Sequence, residues 1–446
     1  MKQLFRIGIV FGLLSLVLAP VALAAENSAL APAQYTFTMA EAVEHALNAN
    51  PTVASRLHVV EQARMQVGIA QSYFWPTASF FFQRTKMKNS GGVGSTDDQS
   101  NFNNSNGLRL GLNLFSGFSH LNGLEQSKLS VDLEKARHSM ARQELIANVQ
   151  LQFLYLLKAR QDKKTVQDAR KRVESQLASA IAFVKVEMAP RLNVLQNEVE
   201  LARLVQQEIT AENNIRGTQA QLGHFLGLPP DQPVTYVGNL RDYNSVLDIN
   251  EEDALNMAIR QRPDAVIALK SIAVAERQAL ATAGRFLPTV TLNADKSFYS
   301  RDYESNRVTD YSRHYTSLSL NFNWNFFEGG NTTFSVLSEK KRIAALRKDY
   351  ENTMSTIRTE VIRNFMDVDA ARELVSASRK AVEAATEAYN MSKVRYDTHT
   401  GTITDLLDAQ AKLTQAEGDA GQALSDFHSA RARLFYGIGM ERVSLQ

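Results

Sequence analysis

The eight histidines of this 446-residue chain are scattered, with none four residues from another, so no helical metal pair stands out. It has no cysteine, which removes disulfides, thiolate metal ligands and a cysteine nucleophile. Neither a phosphate loop nor a nucleophile elbow occurs. The eleven methionines, initiator included, form no cluster that would argue for copper or silver. The chain does not read as an enzyme, and no cofactor or resident metal is expected. Ser and Asp are plentiful but form no catalytic constellation. Asp405 and Asp408 stand three apart, on one face of a predicted helix. Thr402-Ile403-Thr404-Asp405 also has the form of a capping box, in which the Asp405 carboxylate satisfies backbone N–H groups, and the two roles are compatible.

The elements around that pair are unusually regular. Leu318, Leu320, Phe322, Trp324 and Phe326 alternate with Ser319, Asn321, Asn323 and Asn325, predicting a strand with one apolar and one polar face. At Gly329-Gly330 the alternation stops and a long helical stretch begins. Leu108 to Leu114 alternate likewise and lead through Phe115-Ser116-Gly117 into another helix. Phe115 and Phe327 lie 212 positions apart, and the same offset relates Pro51 to Pro263, Pro76 to Pro288, Phe153 to Phe365 and Gly227 to Gly439. Two tandem repeats are expected, 25–228 and 263–440, with a linker and equatorial region at 229–262 and a tail at 441–446.

Lys2 and Arg6 precede an apolar run from Ile7 to Ala19, and Ala22-Leu23-Ala24 offers a cleavage site, so residues 1–24 read as a secretory signal peptide. Without Lys2 and Arg6 the formal charge of +2 falls to zero, and no nucleic-acid partner is implied. No later segment is long and apolar enough to be a transmembrane helix. If the exported chain enters a membrane, strands must take it there.

Each unit should supply two strands of about nine residues, Thr77 to Thr85 being the first, separated by polar loops over Lys86 to Asn106 and Ser297 to Thr316. Long helices are expected over Phe118 to Glu187 and Thr332 to Asp397, each on the order of 100 Å. Return helices follow to about Phe225 and Tyr436, and shorter helices precede the strands. Return plus short helix nearly matches the long one in length, so the two should stack end to end. In the second return helix, Leu406, Ala409, Leu413, Ala416, Ala420, Ala423, Phe427, Ala430 and Leu434 keep a three-four spacing, a seam that permits close helix approach. Four strands cannot close a barrel, and an open sheet in lipid leaves unsatisfied edges, so the chain should oligomerise.

Leu114-Phe115-Ser116-Gly117, Phe326-Phe327-Glu328-Gly329-Gly330 and the stretch from Arg395-Tyr396 through Asp405-Leu406-Leu407-Asp408-Ala409-Gln410 resemble the TolC-like outer-membrane efflux proteins, the outer membrane factors. The resemblance covers nearly the whole mature chain. It implies an α/β membrane protein, mostly α: a homotrimer with a twelve-stranded β-barrel, four strands per chain, in the outer membrane lipid of a Gram-negative cell. A helical coiled-coil barrel would continue it through the periplasm. It implies a passive gated conduit for efflux or type I secretion, with a periplasmic adaptor (membrane fusion protein) and an inner-membrane pump or ABC exporter as partners. The competing reading is a periplasmic coiled-coil scaffold, which explains the helices but not the alternating strands.

The resemblance also implies where gating occurs, at the helix reversals. Asp405 and Asp408 match the family's paired acidic positions; three copies would ring the entrance with six carboxylates, raise some of their pKa values and attract cations. Tyr396 matches a gate tyrosine. The family's gate arginine is replaced by Gly401, and the glycine usual three residues after the tyrosine is His399. In the first unit Asn193 stands where Asp405 stands in the second, and Arg191 could supply a substitute charge. Adaptor contacts are expected at the two turns, through Val186, Met188, Ala189 and Pro190 and through Thr398, Gly401 and Thr402. The proline usual before the aromatic at each helix start is replaced by Asn113 and Asn325.

Overall fold

A computed structural model describes residues 35–89, 99–229, 232–240, 250–303 and 311–441. The expected signal peptide, the two outermost strand connections and nearly all of the expected tail lie outside them.

A short strand β1 (Tyr35–Phe37) is followed by α1 (Met39–Ala49), α2 (Pro51–Ser72), β2 (Thr77–Asn89), β3 (Gln99–Ser116), α3 (Ser119–Lys185) and α4 (Arg191–Phe225). After β4 (Val234–Tyr236), the chain runs through α5 (Glu251–Gln261), α6 (Pro263–Ala283), β5 (Thr289–Tyr303), β6 (Tyr311–Asn323), α7 (Asn331–Asp397) and α8 (Ile403–Gly437). Both α3 and α7 have 67 residues, and α4 and α8 have 35 each. At 1.5 Å per residue the long helices span about 100 Å. None of the helices described is apolar enough to cross a membrane.

The short helices stack on the return helices. Glycines in the left-handed region end α4 and α8, Gly227 at φ 70° and Gly439 at φ 80°, a conformation open to glycine without a Cβ penalty. Asn50, which caps α2 through Thr52 N–H, also donates from Nδ2 to the Phe225 carbonyl at 2.8 Å, fastening α2 to the end of α4. Arg262 does the equivalent for α6, reaching the Gly437 carbonyl at 3.3 Å while gripping Asp264 and Glu360.

The apolar core has two main centres. One gathers Phe153, Leu154 and Leu156 of α3 with α1, β1, β4 and the end of α4; the other joins Ile357, Val361 and Val368 of α7 to Phe427, Ala430 and Leu434 of α8. Eight residues of the α8 seam are buried, and Ala420 is half-buried, opening on a cavity of about 530 Å³ shared with Val375 and Val382 of α7. The parallel pair β1–β4 was not foreseen. Three residues per strand are too few to show a period, and their partners lie 199 positions apart, as in Tyr35↔Val234.

The four long strands form one antiparallel sheet in the order β2-β3-β5-β6, with β2 and β6 as open edges. Residues opposite one another share a face, so register sorts the side chains. One face carries the rows Ala78-Leu110-Ala294-Leu318, Leu112-Leu292-Leu320 and Val290-Phe322. Leu318 is 75% exposed and Phe80 70%, so none of the described residues covers this face. The opposite face is polar: Thr77-Gly111-Asn293-Ser319 and Ser79-Arg109-Asp295-Ser317. Gly117, at φ 61°, and Gly284 let the start of α3 and the end of α6 touch backbone to backbone; a Cβ on Gly117 would sit 2.1 Å from the Gly284 carbonyl oxygen.

The strands depart from expectation at both ends. They are 13, 18, 15 and 13 residues long rather than about nine, and much of the expected polar loops is strand. Those outer halves are polar on both faces, so apolar alternation cannot reveal them. They are held instead by paired backbones and by cross-strand bonds such as Tyr299 Oη to Asn103 Oδ1 at 2.9 Å. Conversely, β6 stops at Asn323 although the alternation runs on to Phe326. Asn323 pairs with Thr289, and the residue before it, Pro288, has no N–H to extend the ladder.

Candidate functional site

The two helix reversals, residues 186–190 and 398–402, use one device. In each, the chain leaves the helix through a non-glycine residue in the left-handed region, Glu187 at φ 60° and His399 at φ 58°. Met188 N–H then bonds the Phe183 carbonyl at 2.9 Å, and Thr400 N–H the Arg395 carbonyl at 2.8 Å. These are Schellman closures, ordinarily completed by glycine. Pro190 and Thr402 then start α4 and α8. Proline suits a helix start because its missing N–H would have no partner there, while Thr402 supplies a side-chain cap.

Tyr396 is 5% exposed, although the residues on either side of it are exposed. Its ring meets Phe183 of α3 edge-on at 6.1 Å, and its hydroxyl lies 3.5 Å from Asn193 Nδ2 of α4. One heptad away, Tyr389 receives a bond from Gln176 Nε2 of α3 at 3.2 Å. Two buried tyrosines on α7 thus each meet a carboxamide of the neighbouring hairpin. Asn197, fully buried one turn beyond Asn193, donates back to the Asn193 carbonyl at 2.8 Å. Ile403, Leu406, Ala409 and Leu413 complete the apolar cluster under this corner.

The carboxylate pair sits on the exposed side of α8. Asp405 forms the capping box: its N–H bonds Thr402 Oγ1 at 3.1 Å, and its carboxylate accepts from Thr402 N–H at 3.3 Å. The Thr402 hydroxyl and backbone N–H, aided by nearby Arg395, hold the Asp405 pKa below the usual carboxylate value. Asp408 pairs with Lys412 at 2.8 Å one turn on. Both partners are mostly exposed, so the pair contributes little to stability, while it raises the Lys412 pKa.

Arg191 is exposed at the start of α4 and makes no ion pair within 4 Å among the described residues. Val186 and Met188 present exposed apolar side chains, Ala189 is half-buried, and Pro190 is exposed. Thr398 spends its hydroxyl on the Val394 carbonyl at 2.9 Å. Gly401 is held for room: a Cβ there would sit 3.0 Å from Arg395 Cβ. Sequence reading missed Phe183, whose ring also packs 4.7 Å from His399, and missed Tyr389 and Asn197. The seven-residue interval between the two tyrosines was the available signal for Tyr389.

The pattern of the family described as outer membrane efflux protein matches residues 42–228 and 254–439. The outer membrane protein TolC of Vibrio cholerae is 22% identical over 307 residues, covering 68% of this chain and 69% of that protein. Protein CyaE of Bordetella pertussis is 22% identical over 376 residues, covering 84% and 78%. Among solved structures, the Campylobacter jejuni outer membrane channel CmeC superposes with a TM-score of 0.78 at 16% identity, covering 92% of this chain and 87% of that one. VceC of Vibrio cholerae gives 0.74 at 16% identity, covering 90% and 96%. These structural likenesses show a shared fold, and the matched segments account for most of the chain: it belongs to the outer membrane efflux protein family, and is an outer-membrane efflux channel.

Proposed function

We propose that three copies close their open sheets into a twelve-stranded barrel continued by a twelve-helix tunnel, each chain contributing two tandem repeats. The trimer is a passive conduit of a tripartite efflux or type I secretion system, opened at the helix reversals by a periplasmic adaptor and an inner-membrane pump or ABC exporter. The observation that carries this is the sheet itself: four antiparallel strands with two unpaired edges and an uncovered apolar face. From the Val290-Phe322 row to Phe82 and Phe298 the outward face runs eight residues, about 27 Å along the strand and about 20 Å in height at barrel tilt. That fits the apolar band of an outer-membrane barrel.

In this reading Asp405 and Asp408 form the acidic rim of the periplasmic mouth, and Tyr396, Asn193 and Arg191 hold the mouth shut. Val186, Met188, Ala189, Pro190, Thr398, Gly401 and Thr402 line the adaptor-binding turns. Single-channel recording in planar bilayers tests it. The native trimer should conduct and be blocked by trivalent cations from the periplasmic side, and Asp405→Asn/Asp408→Asn should conduct but resist block. Conduction without block in either form would dismiss the acidic rim. Absence of any channel, even with the turns loosened, would dismiss the conduit.

A further inference from the structure

We infer that the polar face of the sheet bears an arginine collar, centred on Arg313, that favours anionic cargo at the outer end of the conduit. The inference rests on the reading above, in which this face lines the lumen.

The register fixes which side chains share the face. Counting outward from Thr77-Gly111-Asn293-Ser319, its charged members among the described residues are Arg109 and Asp295 in one row, Arg313 two rows further and Arg301 in the next. Arg109 and Asp295 neutralise one another at 2.6 Å. Arg301 is oriented by Asn103 Oδ1 at 2.8 Å and the Tyr299 hydroxyl at 2.9 Å. Arg313 lies opposite Tyr299, with its guanidinium 5.8 Å from the Tyr311 ring, and it makes no ion pair within 4 Å among the described residues. Its side chain is exposed. Tyr311 and Tyr315 flank it two residues away on the same face of β6, so an anion reaching it would meet a charged donor set among aromatic rings.

Scale makes such a residue effective. Twelve strands 4.8 Å apart and tilted about 40° give a backbone radius of roughly 12 Å. An arginine reaching inward about 6 Å then brings its charge within about 6 Å of the axis, inside the ~8 Å Debye length at physiological salt. Three copies act together on any ion passing at that level.

The outward face provides the control. Arg84 lies one row from Arg313 on the opposite face of the sheet, its guanidinium 4.4 Å from the Phe102 ring. Removing either arginine changes the charge equally at nearly the same height, and only Arg313 faces the lumen.

The test is the zero-current potential of reconstituted trimers in a KCl gradient, for the native protein, Arg313→Gln and Arg84→Gln. Arg313→Gln should lower the chloride-to-potassium permeability ratio about threefold, while Arg84→Gln leaves it unchanged. In addition, naphthalene-1,3,6-trisulfonate applied from the extracellular side should reduce the native current and spare Arg313→Gln. Conduction with no change of ratio in Arg313→Gln, or native current indifferent to the trisulfonate, overturns the collar and leaves the channel standing. A change in Arg84→Gln instead inverts the face assignment and also overturns it. If no trimer conducts, the conduit reading and the collar fall together.

Discussion

Tyr396 offers the sharpest test of what holds the helix reversals together, because its ring and its hydroxyl can be removed separately. The ring is 5% exposed and packs on Phe183 within the cluster of Ile403, Leu406 and Leu413. Truncation to alanine removes a buried aromatic, about 3–5 kcal/mol. The hydroxyl has a single long contact, 3.5 Å to Asn193 Nδ2, at the outer limit of hydrogen bonding and worth less than about 1 kcal/mol. The cluster is separate from the two main cores, so the loss should be local rather than global. If the ring packs this way only in the closed mouth, as proposed for Tyr396, then at about 1.4 kcal/mol per factor of ten Tyr396→Ala should raise the open-to-closed ratio of the channel 100-fold or more, and Tyr396→Phe less than fivefold. Single-channel open probability reads the ratio, and heat resistance of the proposed trimer checks that assembly survives. If Tyr396→Phe opens the channel as widely as Tyr396→Ala, the weight lies on the Asn193 bond, and the packing argument is refuted.

Arg262→Ala leaves Asp264 and Glu360 without their shared cation and the Gly437 carbonyl without its donor, and should cost about 2–4 kcal/mol, read from the urea midpoint; a loss below about 1 kcal/mol would contradict it. The Asp405 pKa is lowered by its cap, so the stability that the carboxylate gives α8 is complete above the ordinary value of 3.8 and is lost as pH falls through the lower folded value. The protection factors of the amides at residues 403–406, which correct for the intrinsic pH dependence of exchange, should therefore be flat from neutral pH to about 4, whereas titration above that value in the proposed trimer would show that crowding of carboxylates outweighs the cap. Glu187→Gly should relieve left-handed strain and protect its turn by about 1 kcal/mol, and His399→Gly should gain less because it forfeits the contact with Phe183, both measured by hydrogen exchange. Gly107→Ala would force a Cβ to 2.5 Å from the Lys296 carbonyl oxygen, so β3 and β5 should part and the yield of the proposed trimer in detergent-resistant form should fall sharply.

The boundary between sequence and structure follows the range of the forces involved. Alternation along Leu318 to Phe322 and the three-four seam of α8 are local patterns, and the sheet face and the helix seam appear where those patterns put them. The capping box at Thr402 and Asp405 was legible for the same reason, since donor and acceptor are three residues apart. The polar outer halves of the strands were not legible, because with both faces polar only pairing to a neighbour defines them. Nor was the half-burial of Ala420, which faces a cavity lined by residues of both α3 and α7.

At the reversals the division is sharpest. The chain by itself determined that two long helices turn back near 188–190 and 398–401, and which residue types stand there. That Tyr396 turns inward to Phe183 and Asn193, and that Arg313 and Arg84 fall on opposite faces of one sheet, was decided by tertiary structure. Asn193 and Tyr396 are 203 residues apart, and contacts over that distance depend on how hairpins pack and strands register, which no local periodicity encodes.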